Sequence, residues 1–93
     1  MSAEEIIAAR ASVHGDYSNV AAKAQEIKRA ILRGGGGCVA LTDVQRESID
    51  LIATKLARIC CGDPNHRDHW DDIAGYATLV SQRTAQAPAK GSK

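Results

Sequence analysis

Phenylalanine is absent from this chain, and one tryptophan and two tyrosines are the only aromatics among its 93 residues. Its core must therefore come from alanine, isoleucine, leucine and valine, which favours slender helices packed closely over a sandwich or barrel. There is no run of roughly 18 apolar residues to cross a bilayer, and no signal-peptide pattern. There is no basic block either. The net charge of +1 is dispersed along the chain, which argues against a duplex-DNA binder that works by neutralising phosphates. Cysteine is sparse: Cys38, Cys60 and Cys61 are odd in number and two are adjacent. That fits reduced cytosolic thiols rather than a disulfide framework.

What is present reads as four helices. Ser2 with Glu5 matches a capping box and opens a first helix over about 3–13. His14-Gly15-Asp16 interrupts it, and Ser18 or Asn19 can cap a second helix carrying Val20, Ala24, Ile27 and Ile31 on one stripe. Arg33 suits the last turn of that helix. Gly34 to Gly37 is a linker. No strand precedes the run and no Lys-Ser/Thr follows it, so a phosphate loop is excluded. Thr42 and Gln45 form a second capping box for a helix over about 43–61, with Ile49, Ile52, Leu56 and Ile59 along one stripe. Gly62 and Pro64 end it. A fourth helix over roughly 68–84 is expected to bury Trp70, Ile73, Ala74, Ala77 and Val80, with a disordered tail over 85–93. The expectation is one all-α domain over 1–84, with helices 3 and 4 as an antiparallel hairpin. A chain this short buries only about 60–65% of its unfolded surface, so oligomerisation is expected to complete it.

The chemistry-bearing residues cluster in the third quarter. Lys55 and Arg58, three apart near the end of the third helix, lead through the turn to Asp68, Trp70, Asp71, Asp72 and Tyr76. The two cations suit a ligand's phosphates, the guanidinium as a planar fork and the ammonium as a mobile point charge; alternatively they pair with aspartates across the hairpin. Glu47 with Asp50, and Asp68 with Asp72, each share a helix face. Such oxygen donors suit Mg²⁺, which retains waters and bridges substrate phosphates. Within one chain the two pairs fall at opposite ends of the hairpin, so a second copy is needed to join them. Their plainer role is to favour a helix N-terminus.

His14, Asp16 and Tyr17 form a second polar cluster on a turn, with His14 as base or ligand and Tyr17 able to stack on a nucleobase. The plainer reading is a glycine-centred turn that caps the next helix. Cys60, Cys61, His66 and His69 invite a zinc reading. Against it, adjacent helical cysteines point about 100° apart and cannot easily share one ion.

These segments, His14-Gly-Asp-Tyr17, Gln45-Arg-Glu-Ser-Ile-Asp50, Lys55-Leu-Ala-Arg58 and Asp68-His-Trp-Asp-Asp-Ile-Ala-Gly-Tyr76, resemble a family of short uncharacterised phage and prophage proteins. More distantly, the acidic pairs are similar to those of all-α MazG-like nucleotide pyrophosphohydrolases, which hold Mg²⁺ between packed helices and act as dimers or tetramers. Here aspartate replaces glutamate at the second motif, and the first lacks its double-glutamate start. The resemblance implies a protein of the host cytoplasm that binds a nucleotide or nucleotide-like ligand. Its hydrolytic form would split a nucleoside triphosphate with Mg²⁺ on Glu47, Asp50, Asp68 and Asp72. Lys55 and Arg58 would clamp phosphates, with His14, Asp16, Tyr17, Trp70 and Tyr76 lining the ligand. The competing expectation is a non-catalytic module that binds a host or phage protein.

Overall fold

The computed structural model describes residues 2–32 and 40–86, and these are all helix and connection, with no strand among them. Arg33, the glycine run, Cys38 and residues 87–93 lie outside the described residues. Helix α1 spans Ala3–His14, α2 Tyr17–Leu32, α3 Asp43–Cys61 and α4 Arg67–Gln86. Both expected capping boxes form. The Glu5 backbone N–H donates to Ser2 Oγ at 3.1 Å, and Gln45 N–H donates to Thr42 Oγ1 at 3.1 Å. Each reciprocal bond, from the cap's own N–H to the Glu5 or Gln45 side chain, is present at 2.7 and 2.9 Å. The second helix starts earlier than its Ser18 or Asn19 signal suggests. Asp16 precedes its first residue, takes the Val20 N–H on its carbonyl and faces the Asn19 N–H at 3.4 Å with its carboxylate.

Helix α3 is the centre of the molecule. It packs along α2 on one side and α4 on the other, while α2 and α4 do not touch. The register is antiparallel on both sides. Near one end of α3, Cys61 Sγ donates to the Asn19 carbonyl of α2, and Lys55 reaches Asp72 of α4. Near its other end, Asp50 lies across from Arg29 and Ser48 across from Val80. Three helices side by side give a flat layer rather than a bundle. The molecule is elongated, 54 × 27 × 21 Å with a radius of gyration of 16.1 Å, against about 13 Å for a compact domain of ~100 residues.

The core is correspondingly thin. Val20 and Ala24 of α2 meet Ala57 of α3, with Ile27 and Cys61 packed against them. Ala57 has no exposed surface at all: only a methyl group fits where α2 and α3 approach. Helix α1 contacts α2 and α3 lightly and buries none of its residues. Of the five residues expected on the buried face of α4, only Ile73 and Val80 lie on it. Trp70 is half exposed, and Ala74 and Ala77 face out, while His69 is 1% exposed. His69, Ile73, Tyr76 and Val80 therefore form the inward stripe, at spacings of four, three and four. Trp70 turns outward because its indole N–H finds an acceptor there, the Pro64 carbonyl at 2.8 Å.

Candidate functional site

Two glycines bring distant parts of the chain together at one end of α3. Gly15, directly after α1, has φ 90° and ψ 161°, a region essentially restricted to glycine. A β-carbon there would lie 2.7 Å from the Cys61 carbonyl oxygen. Gly62, directly after α3, faces it. A β-carbon on Gly62 would fall 2.3 Å from the Val13 carbonyl oxygen and 2.6 Å from the Gly15 nitrogen. The backbones cross in contact, and the Asp63 N–H seals the crossing by donating to the Val13 carbonyl at 2.8 Å. Beyond it, Asp63-Pro64-Asn65-His66 turns back into α4. Asn65 N–H donates to Asp63 Oδ1 at 2.9 Å, and His66 N–H to the Asp63 carbonyl at 3.1 Å.

This crossing assembles the chain's only three histidines. His14 ends α1, His66 sits in the turn and His69 lies in the first turn of α4. The three rings stack edge to face, with centroids 4.8, 4.9 and 5.6 Å apart. His14 Nδ1 and His69 Nε2 are 2.9 Å apart, a hydrogen bond in which one nitrogen donates and the other accepts. His14 and His69 are both held below the ordinary histidine pKa. For His14, burial is the largest cause, followed by the positive charges of Arg10 and Arg58, then His66 and Lys55. For His69, burial again leads, followed by His14, Lys55, His66 and Arg58. Burial and the neighbouring cations thus favour the neutral form of both rings, which keeps lone pairs available. His69 Nδ1 is buried with no hydrogen-bond partner, a penalty of about 1–3 kcal/mol.

Next to the histidines, Lys55 Nζ meets Asp72 Oδ2 at 2.8 Å, with the lysine mostly buried and the aspartate half exposed. The hydrogen bond from Lys55 holds the Asp72 carboxyl below the usual carboxylate range, helped by the positive field of Lys55 and the histidines. This is the cross-hairpin ion pair, one of the two expected roles for Lys55. Arg58 points the other way. With Arg10, His14, Asp16, Tyr17 and an apolar wall of Ile7 and Val20, it lines a cavity of about 430 Å³ between α1, the start of α2 and the end of α3.

The expected site residues thus separate into groups. Four of them, His14, Asp16, Tyr17 and Arg58, share this one cavity. Trp70 and Tyr76 do not line it; Tyr76 borders a shallow groove on α4 with Asp71 and Asp72. Nor do the four carboxylates expected to hold Mg²⁺ converge. Glu47 and Asp50 border an open groove with Lys28, Arg29 and Arg46 at the other end of α3. Asp68 is 80% exposed, 3.7 Å from His66 Nε2. The reason is the antiparallel register, which places the N-termini of α3 and α4 at opposite ends. Among the described residues, His14, His66 and His69 are the one group of three or more metal-capable side chains, with ligand atoms all within 4.8 Å of one another. Cys60 is exposed and Cys61 bonds to α2, so neither joins them.

Sequence reasoning missed Arg10 outright. Arg10 lies one helical turn before His14 and so faces the same way. His66 and His69 enter the sequence reading only beside the cysteines, not beside His14. The available signal was that all three histidines flank the two glycines that end α1 and α3.

Fold and site together define a small all-α domain, a three-helix layer with a histidine cluster where the chain crosses itself. The chain belongs to the family described as Domain of unknown function (DUF6378), whose model matches residues 1–84. No curated protein and no solved structure shows a match. No helix is long and apolar enough to cross a membrane among the described residues.

Proposed function

We propose that the cavity between α1, α2 and α3 binds a nucleotide or nucleotide-like ligand. The observation that carries this reading is the company of Arg10, Arg58, Asp16 and Tyr17 around one cavity of about 430 Å³, a volume suited to a small ligand. The two guanidiniums receive phosphate oxygens through charge-assisted, bidentate hydrogen bonds. Tyr17, 80% exposed at the mouth, offers a face on which a base stacks, and Asp16 accepts from a sugar hydroxyl. Ile7 and Val20 supply the apolar wall. Lys55, paired with Asp72, contributes to the local positive field rather than to contact. The hydrolytic version of this reading needs Mg²⁺ on Glu47, Asp50, Asp68 and Asp72. Those residues lie apart in one copy, so it requires a second copy to join the pairs.

The test is thermal-shift and calorimetric titration of the purified chain. Pyrophosphate, then the common nucleoside mono- and triphosphates, are added with and without Mg²⁺. Binding is expected to raise the melting temperature and to weaken by at least about tenfold in Arg58→Ala and in Arg10→Ala, the loss of one charged hydrogen-bonding partner. No shift with any nucleotide removes the proposal, and release of pyrophosphate decides whether hydrolysis follows.

One observation favours a second reading, a non-catalytic module that docks on another protein. Helix α1 leaves Ile6 and Ile7 exposed, and the open layer exposes Leu41, Val44 and Leu79. Docking on a host or phage protein, or on a second copy, would cover them. Light scattering on the purified chain and capture of a stoichiometric partner that survives Arg58→Ala distinguish this reading from the first.

A further inference from the structure

We infer that His14, His66 and His69 bind one divalent transition-metal ion of the zinc class, beside the cavity lined by Arg10 and Arg58. The inference rests on the histidines alone and holds whether or not a nucleotide enters that cavity.

Two segments far apart in sequence meet here, the end of α1 and the turn into α4, with His14 and His69 55 positions apart, and the ligand atoms of the three histidines lie within 4.8 Å of one another. Zinc bound tetrahedrally by imidazoles at about 2.0–2.1 Å sets its ligand nitrogens roughly 3.3–3.4 Å apart. The His14–His69 pair at 2.9 Å needs only a small outward swing to accept an ion, and the third ring has to close in. His66, on the turn, is the ring freest to do so, since about a third of its side chain remains exposed. An all-imidazole donor set selects zinc, cobalt, nickel or copper over Mg²⁺ and Ca²⁺, which prefer oxygen.

The burial of His69 is the second argument. A ring that is 1% exposed, with its Nε2 held 2.9 Å from a second imidazole, is a poor structural choice where leucine would pack. It is a reasonable choice for a ligand that must be neutral and rigidly held. Three protein ligands leave an open position, the pattern of reactive rather than purely structural zinc sites. His14 belongs both to the cluster and to the lining of the cavity, so a water or anion on that position would adjoin the arginines. Arg10, Lys55 and Arg58 repel a bare cation. The nearby Asp72 carboxylate, and an anion in the cavity, offset that repulsion.

The test uses the full chain, stripped with a chelator and titrated with Zn²⁺ by calorimetry and with Co²⁺ by visible absorption. One ion per chain is expected, with cobalt bands of low coordination number and no thiolate charge-transfer band. Replacing His69 risks the fold, so the informative variants are His66→Ala and His14→Gln, each checked for native circular dichroism. Each is expected to weaken binding by at least about 100-fold, as loss of a direct ligand should exceed the effect of losing a supporting contact. The double variant Cys60→Ser with Cys61→Ser is expected to bind like the unmodified chain. The inference is overturned if the natively folded chain takes up neither metal at micromolar concentration. It is equally overturned if affinity survives both histidine variants or disappears with the cysteines.

Discussion

The two ends of helix α3 are built on opposite principles. At its C-terminal end, Gly15 and Gly62 let backbones touch, and burial, histidines and cations are concentrated within a turn or two. At its N-terminal end, Lys28, Arg29, Arg46, Glu47 and Asp50 line a wide groove open to solvent. Both ends are rich in charge, but the open end screens its charges with water, which leaves them little influence on one another. At the closed end burial and neighbouring cations hold His14 and His69 below the ordinary histidine pKa, and the hydrogen bond from Lys55 holds Asp72 below the usual carboxylate range. Close backbone approach, more than the number of charged residues, separates a site from a surface.

The sharpest way to break that contrast is to push the crossing apart. Gly62→Ala and Gly15→Ala should each destabilise the fold by about 2–3 kcal/mol, through displaced backbone in the first and a forbidden conformation in the second. Urea denaturation measures this, and imidazole contacts should loosen in both variants. An unchanged midpoint would mean that the crossing is not tightly made. Next in size is Ala57→Leu. With no room between α2 and α3, it should cost about 1–3 kcal/mol by overpacking, again read from the urea midpoint. Gly75 provides the opposite control. Nothing lies within 4 Å of a β-carbon there, so Gly75→Ala should stabilise α4 by about 0.5–1 kcal/mol.

A smaller effect should appear with pH in the metal-free chain. His14 and His69 sit below 6.5 when folded, so the unfolded chain binds more protons once pH drops through that value. Their contribution to stability is complete above about pH 6.5 and declines below it until the folded rings themselves protonate. Arg10, Lys55 and Arg58 sharpen the decline by repelling the new charge, and Asp72 softens it. Urea midpoints across this range should fall on acidification and flatten in His14→Gln. The contribution of Asp72 disappears only at and below 3.8, a separate window. Last, Glu47→Gln and Asp50→Asn at the open end should leave both the melting temperature and the zinc affinity unchanged.

Most of the helical framework was legible in the sequence because its signals are local. Helix α3 runs from 43 to 61, as its capping box and terminal Gly62 indicate. The inward stripe of α2 follows the spacing of Val20, Ala24 and Ile27, although Ile31 is half exposed. The inward face of α4 departs from the sequence expectation because its largest apolar residue does not mark the core. Trp70 can satisfy its indole only at the surface, and the smaller, polar His69 occupies the interior. The candidate site was legible only in part. The turn residues His14, Asp16 and Tyr17 stand out as a polar group, but their meeting with Arg58 and His69 depends on a glycine-to-glycine crossing. No local pattern encodes that contact. The carboxylates attracted attention through helix spacing, yet spacing within a helix says nothing about which end of its neighbour it meets.

Because the chain has only three histidines, the central claim can be addressed in a single spectrum. Long-range proton–nitrogen NMR of the imidazoles, recorded as Zn²⁺ is added to the chelator-treated chain, follows every candidate ligand at once. The account predicts that nitrogens of all three rings shift together and saturate at one equivalent. Shifts confined to one ring, or three rings that respond independently without saturation, would contradict it.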